Sequence, residues 1–325
     1  MKFKMSVAAC MAIFAITSSP VVAADNYPEK PVRIVVPFAA GGGGDFIVRA
    51  WADKFSEVIK QPVIVDNRGG GNTVIGTEAV AKAAPDGYTL LVVSPSIATN
   101  PTLLASLPYK TPDDFTPIGL IITYAMGLAA RSTLPADTIP ELVEMAKKNP
   151  GKLTLATSGN GSASHLALEL FKSAAGIDLL NVPYRGAGPA LLDVASGHVD
   201  LAFTGLSQIK PQLDSKRVKL LATSGLKRLN SAPDTKTIAE QGLKDFEAVV
   251  WWGVLAPAGT PKAIVQKVNQ ALKQSLADPE VAKRLAVIDG EIKVSSPEEF
   301  DTFLRSELVR WRAMLKPETA TASPS

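Results

Sequence analysis

The stretch Val32-Arg33-Ile34-Val35-Val36-Pro37, followed by Phe38-Ala39-Ala40-Gly41-Gly42-Gly43-Gly44-Asp45, decides the reading of the fold. The first six residues form a short, β-branched, apolar run of the kind that makes a buried strand. Four successive glycines then break any regular element, and a helix-length amphipathic run extends from about Asp45 to Lys60. Strand, glycine turn and helix in this order are the first half of a parallel βαβ unit.

The pattern continues outward from that unit. Val63 to Asp66 reads as the next strand, then a second glycine loop leads to a helix from Val74 to Ala84. Pro85-Asp86-Gly87 is a turn, and Thr89 to Val93 is a third strand. A second block repeats the alternation. Thr138 and Glu141 are spaced as a capping box opening a helix to Lys148. Strands follow at Leu153 to Thr157, Leu179 to Val182, Val199 to Phe203 and Val218 to Ser224, with a helix to Ala175 after the first. Beyond a strand-like run from Ala248 to Ala256, the chain reads mostly as helix. Thr260-Pro261 predicts an N-cap hydroxyl with Pro at the first helical position, and Ser296-Pro297-Glu298-Glu299 predicts a capping box.

The two blocks echo each other. In the first, one strand leads to Gly41–Gly44 and the next to Asn67-Arg68-Gly69-Gly70-Gly71. In the second, one strand leads to Ser158-Gly159-Asn160-Gly161-Ser162 and the next to Tyr184-Arg185-Gly186-Ala187-Gly188. Two lobes of the same local architecture would face one another across a cleft. A helix N-terminus carries unpaired N–H groups and partial positive charge, and glycine allows close approach to that backbone. Gly41–Gly44 and Ser158–Ser162 are therefore two candidate anion sites, for phosphate or carboxylate.

Length and composition bound the rest. The chain has 325 residues, enough for two domains of about 150 each. Hydrophobic residues at 46% and charged residues at 20% exclude a disordered chain. Thirty-four Lys and Arg against 31 Asp and Glu leave +3, too balanced for a protein whose main partner is nucleic acid. One Cys and two His exclude a disulfide scaffold and speak against a Cys/His metal site. Neither metal nor cofactor is expected.

The first 24 residues read as a signal peptide: Lys2 and Lys4, then an apolar stretch from Met5 to Ile16, then Val21-Val22-Ala23-Ala24 with cleavage after Ala23 or Ala24. Cys10 lies too close to the start to belong to a lipoprotein box. No later stretch reaches about 18 apolar residues, so an exported, periplasmic protein without a membrane span is expected.

Nucleotide and catalytic readings fail on detail. Phe46 stands where G-x-G-x-x-G needs its third glycine, and no Gly-Lys-Ser/Thr follows any glycine loop. G-x-S-x-G and H-E-x-x-H are both missing. His165, one turn into its helix, either donates to a bound carboxylate or packs locally, and Ser162 with His165 lacks a third partner. His198 reads as a surface loop residue. Asp45 either shapes the glycine loop or meets ligand. Arg68 and Arg185 are carboxylate forks or surface ion-pair partners. Phe38, Phe46, Trp251 and Trp252 either flank a ligand or fill the core.

These residues resemble a known family, the substrate-binding proteins of tripartite tricarboxylate transporters, also called the Bug family. The matching motifs run in order along the mature chain. They are Val35-Val36-Pro37-Phe38-Ala39-Ala40-Gly41-Gly42 with Asp45; Asn67-Arg68 with Gly70; and Ala84-Pro85-Asp86-Gly87-Tyr88-Thr89-Leu90-Leu91. Further on they are Ser158 to Ser162 with His165-Leu166; Pro183-Tyr184-Arg185-Gly186; Gly197-His198-Val199-Asp200; and Ala256-Pro257-Ala258-Gly259-Thr260-Pro261. The resemblance implies an α/β, two-lobed periplasmic-binding-protein (Venus flytrap) fold: two parallel-sheet α/β domains joined by two crossover strands. Lobe 1 would take residues 25–122 plus 254–325, and lobe 2 residues 123–253. Ile118 to Ala130 and Ala248 to Ala256 would carry the crossovers.

The resemblance also implies that a small carboxylate is held between two strand–helix loops, without chemistry on it. Lobe 1 would offer Phe38, Ala40, Gly41, Gly42, Gly43, Asp45 and Phe46, with Ser94. Lobe 2 would offer Ser158, Gly159, Asn160, Gly161, Ser162 and His165, with Arg185 and Thr204. Many relatives carry Asp where Thr204 stands, so an ammonium-bearing ligand is disfavoured. Phe38, Phe46 and Trp252 suggest a flat ligand such as a phthalate-type diacid. A monomer serving a pair of membrane permease subunits is expected. The alternatives are a sensor for a membrane kinase and an exported hydrolase acting through Ser162 or His165.

Overall fold

The structure, a computed structural model, describes residues 26–315. The expected signal peptide, residues 1–24, therefore lies outside the described residues. The chain lays down β1 (Val32–Val36), α1 (Gly43–Ile59), β2 (Val63–Asn67), α2 (Val74–Ala81), β3 (Thr89–Val93) and α3 (Ser96–Leu103). β4 (Phe115–Ala125) passes directly into β5 (Gly127–Arg131). Then come α4 (Ile139–Lys148), β6 (Thr154–Thr157), α5 (Ala163–Ala175), β7 (Leu180–Pro183), α6 (Ala187–Ala195), β8 (Leu201–Thr204), α7 (Leu206–Asp214) and β9 (Val218–Thr223). β10 (Val249–Pro257), α8 (Lys262–Leu276), α9 (Pro279–Leu285), β11 (Glu291–Ile292) and α10 (Pro297–Met314) complete it.

Local chemistry explains the element boundaries. α1 buries Trp51 and Phe55 and ends at Lys60 in a left-handed conformation. Both capping boxes form, Thr138 with Glu141 on α4 and Ser296 with Glu299 on α10. The expected cap on α8 does not: its N-cap is Pro261, and the Thr260 hydroxyl donates to Pro257 O instead, 2.8 Å away. Pro261 precedes the first turn and removes one of the N–H groups that a cap would satisfy.

The strands form two sheets, ordered β11-β4-β10-β3-β1-β2 and β7-β6-β8-β5-β9. Within each, three strands pair in parallel as expected: β2-β1-β3 and β7-β6-β8. The sheets as wholes are mixed, which corrects the all-parallel expectation. β10 runs antiparallel to β3 and β4, and β5 antiparallel to β8 and β9. The reason is topological. β5 enters its sheet from the other sheet at the carboxyl edge of the parallel strands, where Gly127 pairs with Thr204, so it must run against them.

That topology fixes where the lobes meet. β4 is antiparallel to β10 and β10 to β3, so β4 runs with β1, β2 and β3, and Ala125 lies at their carboxyl edge. Gly127 pairs with Thr204, the last residue of β8, so the chain enters the second sheet at its carboxyl edge too. The carboxyl ends of both sets of parallel strands thus face one another across the crossover. This is where open α/β sheets place their ligands. Among the described residues no helix is long and apolar enough to cross a membrane.

Candidate functional site

Six helices, α1, α2 and α3 in one lobe and α5, α6 and α7 in the other, begin at these facing edges. All but α5 begin without a side-chain cap. Of the four helices that start elsewhere, α4, α9 and α10 are capped by Thr138, Asp278 and Ser296, and α8 is not. Uncapped N–H groups are costly unless water or a ligand accepts from them.

The first glycine loop is built around Asp45. Its buried carboxylate accepts from Gly41 N–H at 2.8 Å and from Arg49 Nε at 2.8 Å. Arg49 also reaches Asn67 Oδ1, and Asn67 Nδ2 donates to Phe38 O. Burial pushes the Asp45 carboxyl up, but the Gly41 N–H, the Asn67 side chain and the Arg49 guanidinium outweigh it and hold it below its usual range. Asp45 therefore spends both oxygens on its own loop. Gly41 adopts φ +77°, which glycine takes without strain. The first intrahelical bond of α1 runs from Phe46 N to Gly42 O. The N–H groups of Gly43, Gly44 and Asp45 are left as donors at the helix mouth, with Ala40 exposed beside them.

The aromatic candidates divide. Phe38 packs edge-on against Trp252, with centroids 5.2 Å apart, and both press on Gly44. Trp251 is core. Phe46 stands 40% exposed on the first turn of α1 and is the ring free to meet a ligand.

The second loop is built around Ser164, which sequence reasoning passed over. Its Oγ accepts from Ser158 N–H at 2.9 Å and lies 3.0 and 3.1 Å from the hydroxyls of Ser158 and Ser162. Ser162 caps α5 by accepting from His165 N–H. His165 Nδ1 accepts from Gly161 N–H at 3.0 Å. Asn160 Oδ1 accepts from Asn181 Nδ2. The N–H groups of Gly159, Ala163 and Ser164 have no acceptor among the described residues and remain as donors. Thr204 is buried at the end of β8, and its hydroxyl donates to Gln208 on the following helix, α7. Of the two arginines, Arg68 is paired with Asp66 at 2.8 Å, whereas Arg185 is exposed and makes no ion pair among the described residues.

His165 gives a pH prediction. Burial pulls its imidazole below the usual range, with Glu169 opposing and Lys172 adding to the effect. Its Nδ1 must also stay unprotonated to accept from Gly161. A histidine whose folded pKa is depressed contributes stability above its unfolded pKa, about 6.5, and loses it as pH falls from there toward the folded value. Thermal unfolding at pH 7.5 and 5 is expected to show a loss that His165→Asn, whose amide oxygen also accepts, reduces. An equal loss in both proteins would refute this.

Ser94, at the end of β3, belongs to a buried polar cluster that was not foreseen. Its Oγ is 3.1 Å from Ser96 Oγ, which accepts from Thr73 Oγ1. Asn72 and Asn100 bond one another in both directions at 2.8 Å. A signal was present in the sequence: five small polar residues from Ser94 to Thr102 immediately follow the apolar run Leu90–Val93. A separate pocket of about 110 Å³ lies beside β10, between α5 and α10, lined by Leu166, Leu170, Trp251, Phe303, Glu307 and Trp311 among others. Apart from Ala163, it includes none of the loop donors.

Comparison with known proteins settles the kinship. The profile of the tripartite tricarboxylate transporter family receptor matches residues 47–319. The chain belongs to this receptor family. Among curated relatives, the receptor is 37% identical to the protein of the tcbD–tcbE intergenic region of Pseudomonas sp. (strain P51), covering 90% of this chain and 87% of the other. It is 33% identical to BugT of Bordetella pertussis, covering 91% of each.

Solved structures agree. The periplasmic binding protein BugD is 38% identical with a TM-score of 0.74, covering 88% of the receptor and 97% of BugD. An R. palustris protein with adipate is 33% identical with a TM-score of 0.79, covering 89% and 97%. MatC of Rhodopseudomonas palustris, with bound malate, is 30% identical with a TM-score of 0.77, covering 89% and 99%. The two-lobed periplasmic-binding-protein fold and a solute-binding role follow. The hydrolase alternative falls, in keeping with a Ser162 hydroxyl spent on a helix cap and a His165 Nδ1 bonded to backbone.

Proposed function

We propose that the receptor captures a small dicarboxylate in the periplasm, one carboxylate at the mouth of α1 and the other at the loop before α5. It then presents the ligand, as a monomer, to the membrane subunits of a tripartite transporter. The observation that carries this reading is the facing pair of glycine loops: the N–H groups of Gly43, Gly44 and Asp45 at α1, and of Gly159, Ala163 and Ser164 at α5, have no acceptor among the described residues. Adipate and malate in two relatives are both dicarboxylates, which favours this class. The lobes divide along the crossovers, where the chain leaves the first sheet after Ala125 and rejoins it at Val249.

The magnitudes suffice. Each hydrogen bond to a charged group contributes about 1.5–3 kcal/mol, and each helix end adds about 0.3–1 kcal/mol. Five or six such donors, less the cost of lost ligand freedom, reach the roughly −8 kcal/mol of micromolar binding. Exposed Phe46 and Arg185, which has no ion-pair partner among the described residues, would then select among dicarboxylates, Phe46 favouring a flat one.

Thermal unfolding against mono-, di- and tricarboxylates, aliphatic and aromatic, tests the reading, with sugars and amino acids as controls. Ligand at a hundred times its dissociation constant is expected to add about 2.7 kcal/mol, a rise of several degrees. Stabilisation by sugars or amino acids alone, or by nothing in the panel, would overturn it.

A further inference from the structure

We propose that Thr99 is a positioning residue for capture: it seats the Ser158–Ser162 loop of lobe 2 on α3 of lobe 1 and so sets how long the cleft stays closed. Thr99 is fully buried, and its hydroxyl lies 3.3 Å from Gly161 O, across the boundary between the lobes. The contact is close on every side. Gly161 has φ +74°, and a Cβ added there would lie 2.9 Å from Leu103 Cδ1, 3.1 Å from Thr99 Oγ1 and 3.4 Å from Asn72 Nδ2. Leu166, one turn along α5, shares an apolar cluster with Leu103.

Lobe 1 holds this seat under strain. Asn72 and Thr73 both adopt left-handed conformations, φ 53° and 73°, which are unfavourable for a β-branched residue. Such conformations persist only where their surroundings enforce them, and they cluster at functional sites. The fully buried Asn100 does the enforcing: its Nδ2 donates to Asn72 O and Thr73 Oγ1, and its Oδ1 accepts from Asn72 Nδ2. The Thr99 hydroxyl also has a second acceptor, Ser96 O at 3.4 Å. When the lobes part it falls back on its own helix, as threonine hydroxyls in helices readily do. Opening therefore orphans no buried donor, and the seat is weak and reversible.

The consequence for ligand residence rests on the capture reading, but the seat itself can be tested without ligand. Spin labels at Asp53→Cys and Leu192→Cys, in the chain from Asp25 onward, which holds no other cysteine, report the distance between lobes. The unsubstituted seat is expected to show a component at the separation in this structure. Thr99→Val should lower the ratio of closed to open about fivefold, because the closed seat then holds Gly161 O without its donor whereas open lobes let water reach it. Gly161→Ala should abolish the closed component by collision, and Thr99→Ser should keep it. Tryptophan fluorescence confirms that each variant is folded. A distribution without the closed component, or one that neither Thr99→Val nor Gly161→Ala changes, overturns the proposal. Carboxylate binding that persists in that case leaves the capture reading standing.

Discussion

Replacing Glu307 by Leu is expected to destabilise the receptor by about 4 kcal/mol. Glu307 is buried on α10, and its Oε2 accepts from both Trp251 Nε1 at 3.0 Å and Trp311 Nε1 at 2.9 Å. Both indoles are almost fully buried, so Leu would leave two donors without their acceptor. Hydrogen bonds to a charged group are each worth about 1.5–3 kcal/mol. Through these bonds α10 is tied to crossover strand β10. Glu307→Gln, which keeps an acceptor oxygen, is expected to cost only about 1–2 kcal/mol. Thermal unfolding checks both, with a fall of roughly 8 °C for the Leu variant. Equal stability of the Leu and Gln variants would show that the indoles find other partners.

The second large effect is expected at Gly253, on the same strand. A Cβ there would lie 2.2 Å from Phe300 Cζ and 2.7 Å from Cε1. Phe300 cannot retreat easily, because it is fully buried and packs against Trp251 and Phe303. Gly253→Ala should therefore cost about 3 kcal/mol, the upper end of ordinary overpacking. Adding Phe300→Leu should recover part of that loss, so the two changes together cost less than their sum. Strict additivity in denaturant unfolding would refute the steric account.

Much of this architecture was legible in the residues. β3 falls at Thr89–Val93 as read, and both capping boxes close because Thr138 with Glu141 and Ser296 with Glu299 are local chemistry. α3 and α7 were not legible as helices, because Pro101 and Pro211 stand inside them and read as breaks. The antiparallel course of β5 and β10 was equally hidden. A buried strand shows the same apolar run whichever way its neighbour points, and only tertiary topology decides.

The site divides in the same way. The two glycine loops announce themselves, since backbone donors require glycine at a turn. What the side chains within them do was not readable. Asp45 and His165 carry charge and donors that suggest ligand contact, yet both turn back on their own loops, to Gly41 N–H in one case and Gly161 N–H in the other. Asn72, Thr99 and Asn100 gave only the weak signal of polar residues among apolar ones. Their meaning depends on a loop some 60 residues away along the chain.

The central claim is that backbone N–H groups of both lobes hold one ligand. Amide NMR titration with the carboxylate that most raises the unfolding temperature tests this most directly. The account predicts that Gly43, Gly44 and Asp45 in one lobe, and Gly159 and Ala163 in the other, shift together along one binding curve. Shifts confined to one lobe, or centred on the Trp251 and Trp311 indoles beside the pocket between α5 and α10, would contradict it.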